Sequence, residues 1–299
     1  MNKLIHYIKH SLYCLFVLSS LFSYGQSLYP VNSANSNSIF VSLTRFNLTD
    51  QQQKTLQQHL PKTESLEPIS LPKELNNIIL KASEYTSNDK IFYYNYVTNK
   101  LLTWNVNDAQ LIALQDPYLD GFDYGLMITD DALAPYKDNL TSAFIHIGAT
   151  NPFAQEKLNP IKWTLINKKA YPIPIGFINQ LKSHTSSPWT ILKTHQYHDN
   201  QYDYYLAELT SEDHQYAHFF TITKKNSDIV HYYKLSISSE ENYLNTVNTG
   251  SENDVKIHIG KLIKNKPLAF WGLSDTSIGC SSIYFIDYDE IVMSCINNH

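Results

Sequence analysis

Arginine is almost missing from this chain: Arg45 is the only one among 299 residues. Without guanidinium forks the usual bidentate reading of phosphates and bases is lost, and 28 acidic residues outnumber 23 basic ones, so nucleic acid is excluded as a partner. Cysteine is scarce as well, with Cys14, Cys280 and Cys295 alone. No carboxylate occurs before Asp50. Long apolar runs are also lacking. The best, Leu12 to Phe22, is broken by Tyr13, Cys14, Ser19 and Ser20, and falls short of the roughly 17–25 residues that cross a bilayer. There is no phosphate-binding loop, dinucleotide fingerprint or HExxH helix, no repeat period, and no alternation regular enough for a transmembrane barrel.

What is present begins with export. Lys3 and Lys9 supply positive charge ahead of the apolar run, and Ser23 and Gly25 place small residues at the minus-three and minus-one positions of a cut before Gln26. Residues 1–25 therefore read as a cleavable signal peptide, and the mature chain as secreted or periplasmic, with no membrane span after cleavage. Removing that segment takes Cys14 with it. Cys280 and Cys295 are left to pair in an oxidising compartment. It also removes two lysines, so the mature chain is more acidic still.

The pattern of elements predicts an α+β fold, predominantly antiparallel β-sheet with a few flanking short helices and a strongly β C-terminal half. Residues 26–38, rich in Ser and Asn, read as a flexible leader; 39–187 as a mixed α/β region; 188–299 as a β-rich region able to pack as one domain with the first. In the first region, a strand at 39–48 precedes a polar helix opened by Leu48-Thr49-Asp50, and a second helix runs from Pro72 to about Tyr85 on Leu71, Leu75, Ile78, Ile79 and Ala82. A hairpin spans 91–106. Asn107 and Gln110 suggest the cap of a short helix ended by Asp116-Pro117. Strands follow at 124–129, 142–148 and 161–167, then a short helix after Pro174 and a linker at Ser183 to Pro188. In the second region eight strands are expected between 190 and 296, interrupted by one helix capped by Ser238 and Glu241. For the 214–223 and 229–237 hairpin, a two-residue Asn226-Ser227 loop sets Ile222 opposite His231 and His218 opposite Leu235.

Three groups of residues could carry chemistry. His195, His198, His214 and His218 lie near one another in sequence, but residues four apart on a strand stand about 13 Å apart, too far to share one zinc. The preferred reading makes His218 and His231 hydrogen-bonded core residues and the others exposed. Asp116, Asp120, Asp123, Asp130 and Asp131 surround Gly121 without the spacing of a calcium loop, and read as a solvated acidic stretch. No metal or cofactor is expected. The third group is the loop from Gly272 to Ser282, dense in hydroxyls and glycines between apolar strands and held by the expected bridge. Trp271, Ser274, Asp275, Thr276 and Ser277 are its candidate binding residues. Catalytic residues are not assignable from motifs. The missing motifs, the acidic charge and 22 tyrosines together favour a non-enzymatic extracytoplasmic binding protein, an inhibitor or immunity protein for instance, against a protein partner with a basic surface. The alternative is a secreted hydrolase with its site near the Ser274–Ser282 loop.

Overall fold

The computed structural model describes residues 27–43, 48–61, 68–115, 121–167, 188–227, 229–239, 242–244, 247, 257–273, 275–276 and 280–295. The expected signal peptide, the helix expected after Pro174, residues 183–187 of the expected linker, and Asp116 and Asp120 lie outside them. The strands in the first half are β1 (Leu28–Pro30), β2 (Asn32–Asn35), β3 (Ser38–Ser42), β4 (Ile69–Ser70), β5 (Lys90–Asn95), β6 (Lys100–Asn105), β7 (Gln110–Gln115), β8 (Phe122–Thr129) and β9 (Ala143–Gly148). Two short helices, α1 (Asp50–Gln57) and α2 (Asn76–Ala82), join them. Then come β10 (Asn159–Pro160), β11 (Thr164–Leu165), β12 (Trp189–His198), β13 (Tyr202–Ser211), β14 (Tyr216–Lys224) and β15 (Val230–Ile237). The chain closes with β16 (Asn242–Tyr243), β17 (His258–Gly260), β18 (Ala269–Trp271), β19 (Asp275–Thr276), β20 (Ser282–Phe285) and β21 (Glu290–Val292). The fold is α+β and mostly antiparallel sheet.

Among the described residues the four larger sheets pack in series, in the orders β2-β3-β8-β7-β4, β1-β9-β5-β6, β10-β17-β18-β20-β21 and β11-β12-β13-β14-β15, and β16-β19 form a fifth, two-stranded sheet. Alternation along single strands shows how the second and third sheets each serve two cores. On β5 and β9, Ile91, Tyr93, Ile145 and Ile147 meet Val41, Leu111 and Leu126 of the first sheet, with α1 and α2 adding Leu56, Ile79 and Leu80. Their neighbours Phe92, Tyr94 and Phe144 turn the other way, onto Ala269, Ile283 and Phe285 of the third sheet. In turn Phe270 and Ile286 face Tyr204, Leu206, Phe220 and Ile222 of the fourth. Strands covered on both faces need apolar residues at successive positions, and this accounts for the unbroken Ile91-Phe92-Tyr93-Tyr94 run. Buried side chains of both halves of the chain thus share one cluster.

Several expectations from the sequence are corrected. Residues 28–35 form strands, not a loose leader: Leu28 is 0% exposed, and its carbonyl accepts from Ser294 N–H. At Asn107 the chain makes only a single 3-10 turn, Val106–Asp108, before strand β7, where Leu111, Ile112 and Ala113 are buried on both faces. Gln110 donates to the Leu71 and Leu111 carbonyls instead of capping a helix. The strand anticipated at 161–167 shrinks to β11. In place of the helix after Ser238, Asn242–Tyr243 pairs with Asp275–Thr276. The helix start expected at Leu48-Thr49-Asp50, by contrast, is present: α1 begins at Asp50, where Thr49 and Gln52 cap each other reciprocally.

Candidate functional site

The hydroxyl-rich loop from Gly272 to Ser282 divides into described and undescribed parts. Cys280 and Cys295 are bridged, with Cα atoms 5.6 Å apart. Asp275 and Thr276 form β19 against β16, so their backbone is engaged in a ladder, while Ser274 and Ser277 lie outside the described residues. Trp271 is half-buried, its indole edge-on to Phe144 with centroids 5.3 Å apart, so it serves the contact between the second and third sheets.

The histidines resolve into different roles. His198 pairs with Asp203 on the surface, 2.5 Å apart. His214 sits at φ 61° in the turn that joins β13 to β14, not on a strand face. His231 is exposed beside Tyr202, contrary to the core place expected for it, because the hairpin register differs: Ile222 pairs with Tyr232 and His218 with Ser236, after an irregularity between Ile222 and Thr223. One extra residue in the ladder reverses which side chains face the core. Tyr232 takes the buried place.

His195, expected at the surface, is 1% exposed. On β12 it projects to the same face as Glu208 of β13 and Tyr216 and His218 of β14, and the four side chains form a hydrogen-bonded chain. His195 Nε2 lies 2.7 Å from Glu208 Oε1, the Tyr216 hydroxyl donates to Glu208 Oε2 at 2.7 Å, and His218 Nε2 lies 3.2 Å from the Tyr216 oxygen. An ionised carboxylate only accepts, so the donors are ordered: His195 and Tyr216 both point at Glu208, and His218 donates to Tyr216. Burial raises the carboxyl pKa, but the bonds from His195 and Tyr216 outweigh it and leave Glu208 below its usual range. Burial pushes His218 down to about 4, and it stays neutral. Tyr216 is raised by burial and by the acceptor it serves. His195 Nδ1 is buried with no hydrogen-bond partner among the described residues, and the Trp163 ring stands edge-on beside the imidazole. An imidazole oriented by a carboxylate is the geometry of a general base, although the burial of His195 keeps it from the surface.

Among the described residues no cluster of three or more His, Cys, Asp or Glu could hold a metal ion, and no helix is long and apolar enough to cross a membrane. Of the acidic stretch, Asp130 has a defined structural role: it accepts from Trp104 Nε1 at 2.6 Å and caps the turn at Ala132 N at 2.8 Å.

At the other end of the fourth sheet lies a surface feature that sequence reasoning did not single out. The hairpin between β20 and β21 closes with Phe285 N–H on Asp289 O and Tyr288 N–H on Phe285 O, a three-residue loop whose last residue must take the left-handed conformation. Glycine or asparagine suits that position; here Tyr288 fills it at φ 69°. The residue is 57% exposed, and its ring stacks on Tyr232 at 4.7 Å and meets Tyr233 edge-on at 6.0 Å. Adjacent strand residues project to opposite faces, so a ring touching both Tyr232 and Tyr233 lies across the edge of β15. Around this ledge stand the exposed Asp287, Asp289 and Glu290, with Asp289 paired to Lys266. Lys234 Nζ lies 3.9 Å above the Tyr284 ring, a cation–π contact in the same group of tyrosines. Nothing in the sequence marks this position, because the left-handed backbone at Tyr288 follows from the turn geometry and not from the residue types.

No protein-family model matches the chain, and no curated protein or solved structure is significantly similar to it. Function must be argued from the residues themselves.

Proposed function

We propose that this chain is an exported, non-enzymatic binding protein that works outside the cytoplasm and recognises a protein partner with a basic surface. The tyrosine ledge at Tyr288 carries this reading. A large aromatic ring is held in solvent at a backbone position that disfavours it, is supported by two further tyrosines, and is rimmed by carboxylates. Aromatic anchors ringed by charge are the composition of recognition surfaces, and local strain that persists in a fold points to use. The Cys280–Cys295 bridge and the acidic balance of the chain agree with an extracytoplasmic setting and a basic partner.

The ledge and the Gly272–Ser282 loop lie toward opposite ends of the third sheet, since β20 runs from one to the other. They can therefore be tested separately. The full chain, expressed with its N-terminus intact, should be exported and should begin at or within a few residues of Gln26 by intact mass. Exported protein, used as bait in the secreted fraction of its native producer, should capture a partner that Tyr288→Ala with Tyr233→Ala loses. The combined alanine variant of Ser274, Asp275, Thr276 and Ser277 tests the loop in the same experiment. Retention of residues 1–25, or capture unaffected by either variant, would overturn the proposal.

A further inference from the structure

The ledge adjoins a strand edge that no other described strand pairs with, and the two together define the kind of segment that would fit. Strand β15 is the last in its sheet and eight residues long. Ser238 N–H donates to Tyr216 O just beyond the strand, which fixes the phase of the ladder: even-numbered residues of β15 bond to β14, while Tyr233, Leu235 and Ile237 direct their N–H and C=O groups outward. The outward N–H of Tyr233 faces the Tyr288 hydroxyl, so the ring plugs the edge at that point. Beyond the plug, Leu235 and Ile237 continue the edge about 7 Å apart.

We propose, resting on the binding role argued above, that the partner contributes an extended basic segment. It pairs with the outer side of β15 at Leu235 and Ile237 and lays a lysine or arginine side chain on Tyr288, beside Asp287 and Glu290. Strand addition supplies main-chain hydrogen bonds without regard to sequence, and the ledge supplies selectivity. Charge complementarity decides the occupant. Asp289 is engaged by Lys266, but Asp287 and Glu290 are exposed next to the ring, and an aromatic face flanked by carboxylates attracts a cation. The chain already realises half of this chemistry where Lys234 lies over Tyr284. A second copy of the chain is a poorer occupant, because with 28 acidic residues against 23 basic ones it does not bring the excess of positive charge that the ledge calls for.

The test uses a labelled six-residue peptide, Thr-Arg-Val-Arg-Thr-Arg, titrated into the exported protein and followed by fluorescence anisotropy. A citrulline version removes the charge and keeps the shape; a version N-methylated at alternate backbone nitrogens blocks the ladder. Binding should weaken at least tenfold for each altered peptide, and at least tenfold for the original peptide with Tyr288→Ala or with Asp287→Asn and Glu290→Gln together. Circular dichroism and melting should show these variants folded. No binding, equal binding of the citrulline peptide, equal binding of the N-methylated peptide, or unchanged binding by Tyr288→Ala would overturn the proposal. So would a concentration-dependent dimer in analytical ultracentrifugation that the peptide does not dissociate. If partner capture depends on Tyr288 but the peptide does not bind, the binding role stands and only this occupant is wrong.

Discussion

The two ends of the fourth sheet are built from the same alternation and come to opposite ends. Along β13 and β14 one face carries Tyr204, Leu206 and Glu208 opposite Ile222, Phe220 and His218. At the Glu208 end the polar side chains lie mostly inside the protein and are chained through the carboxylate, with His195 Nδ1 left over. At the Tyr232 end the aromatic residues run out to the sheet edge, where Tyr288 is left in water. Tyrosine occurs in both. Tyr216 is fixed by its hydroxyl on Glu208, whereas Tyr288 is held mainly by its ring and its turn. The first arrangement spends a carboxylate to satisfy buried donors and makes the core specific. The second leaves a ring whose contacts are incomplete, and an incomplete contact is one a partner can finish.

If that contrast is right, the sealed end should dominate stability. Glu208→Ala removes the acceptor of both His195 and Tyr216; the buried His195 donor loses its partner outright and the half-buried Tyr216 hydroxyl in part, at a cost of about 2–4 kcal/mol together. Urea denaturation should show that loss, with the peptide binding of the remaining folded protein unchanged. A loss under about 1 kcal/mol would mean that water reaches the network. The bridge comes next. Replacing Cys280 and Cys295 with serine opens a loop of 15 residues, worth about 3 kcal/mol in the chain-entropy model.

His218 sharpens the comparison through pH. Its folded pKa of about 4 lies below the ordinary 6.5, so between these values the unfolded chain takes up a proton that the folded chain refuses. Stability therefore falls as pH drops through that window, by about 2–3 kcal/mol between pH 7 and 4.5. Glu208, also lowered, is lost in the same direction at still lower pH. His218→Gln keeps a donor for Tyr216 but cannot titrate, and its stability should be flatter over the same range. Parallel curves for the two proteins would show that His218 is not the group responsible.

How much of this was readable from the residues depends on how many faces of a strand are covered. The hairpin of β5 and β6, the helix start at Thr49 and the Cys280–Cys295 pair were legible because each rests on local chemistry. The register of β14 against β15 was not. With Ala217, Phe219 and Thr221 buried as well as His218, Phe220 and Ile222, alternation cannot say which face is the core, and the irregularity at Thr223 decides. Strand β7 reads as a short helix for the same reason, its apolar run being compatible with either period. Glu208 could have been found, since a lone carboxylate between Leu206 and Leu209 on a central strand needs donors from both neighbours. Spacing along the sequence tests His195 and His218 only against a shared zinc, which it excludes, and gives no sign that Glu208 lies between them. The ledge was invisible because nothing in the composition of Asp287-Tyr288-Asp289 marks which residue takes the left-handed position.

The smallest effect on stability is expected at Tyr288, and it is the one that separates the two ends most cleanly. Asparagine adopts the left-handed conformation more readily than tyrosine does, so Tyr288→Asn relieves the turn at φ 69° while losing the stacking on Tyr232. The two changes are opposite in sign and each is of order 1 kcal/mol, which places the net within about half a kcal/mol of the parent, as for ordinary surface sites. Alanine at the same position loses the ring without easing the backbone and should be the less stable of the two. Both should bind the basic peptide at least tenfold more weakly. If Tyr288→Asn instead costs as much as Glu208→Ala, the ring is part of the core and the open end of the sheet is sealed like the other.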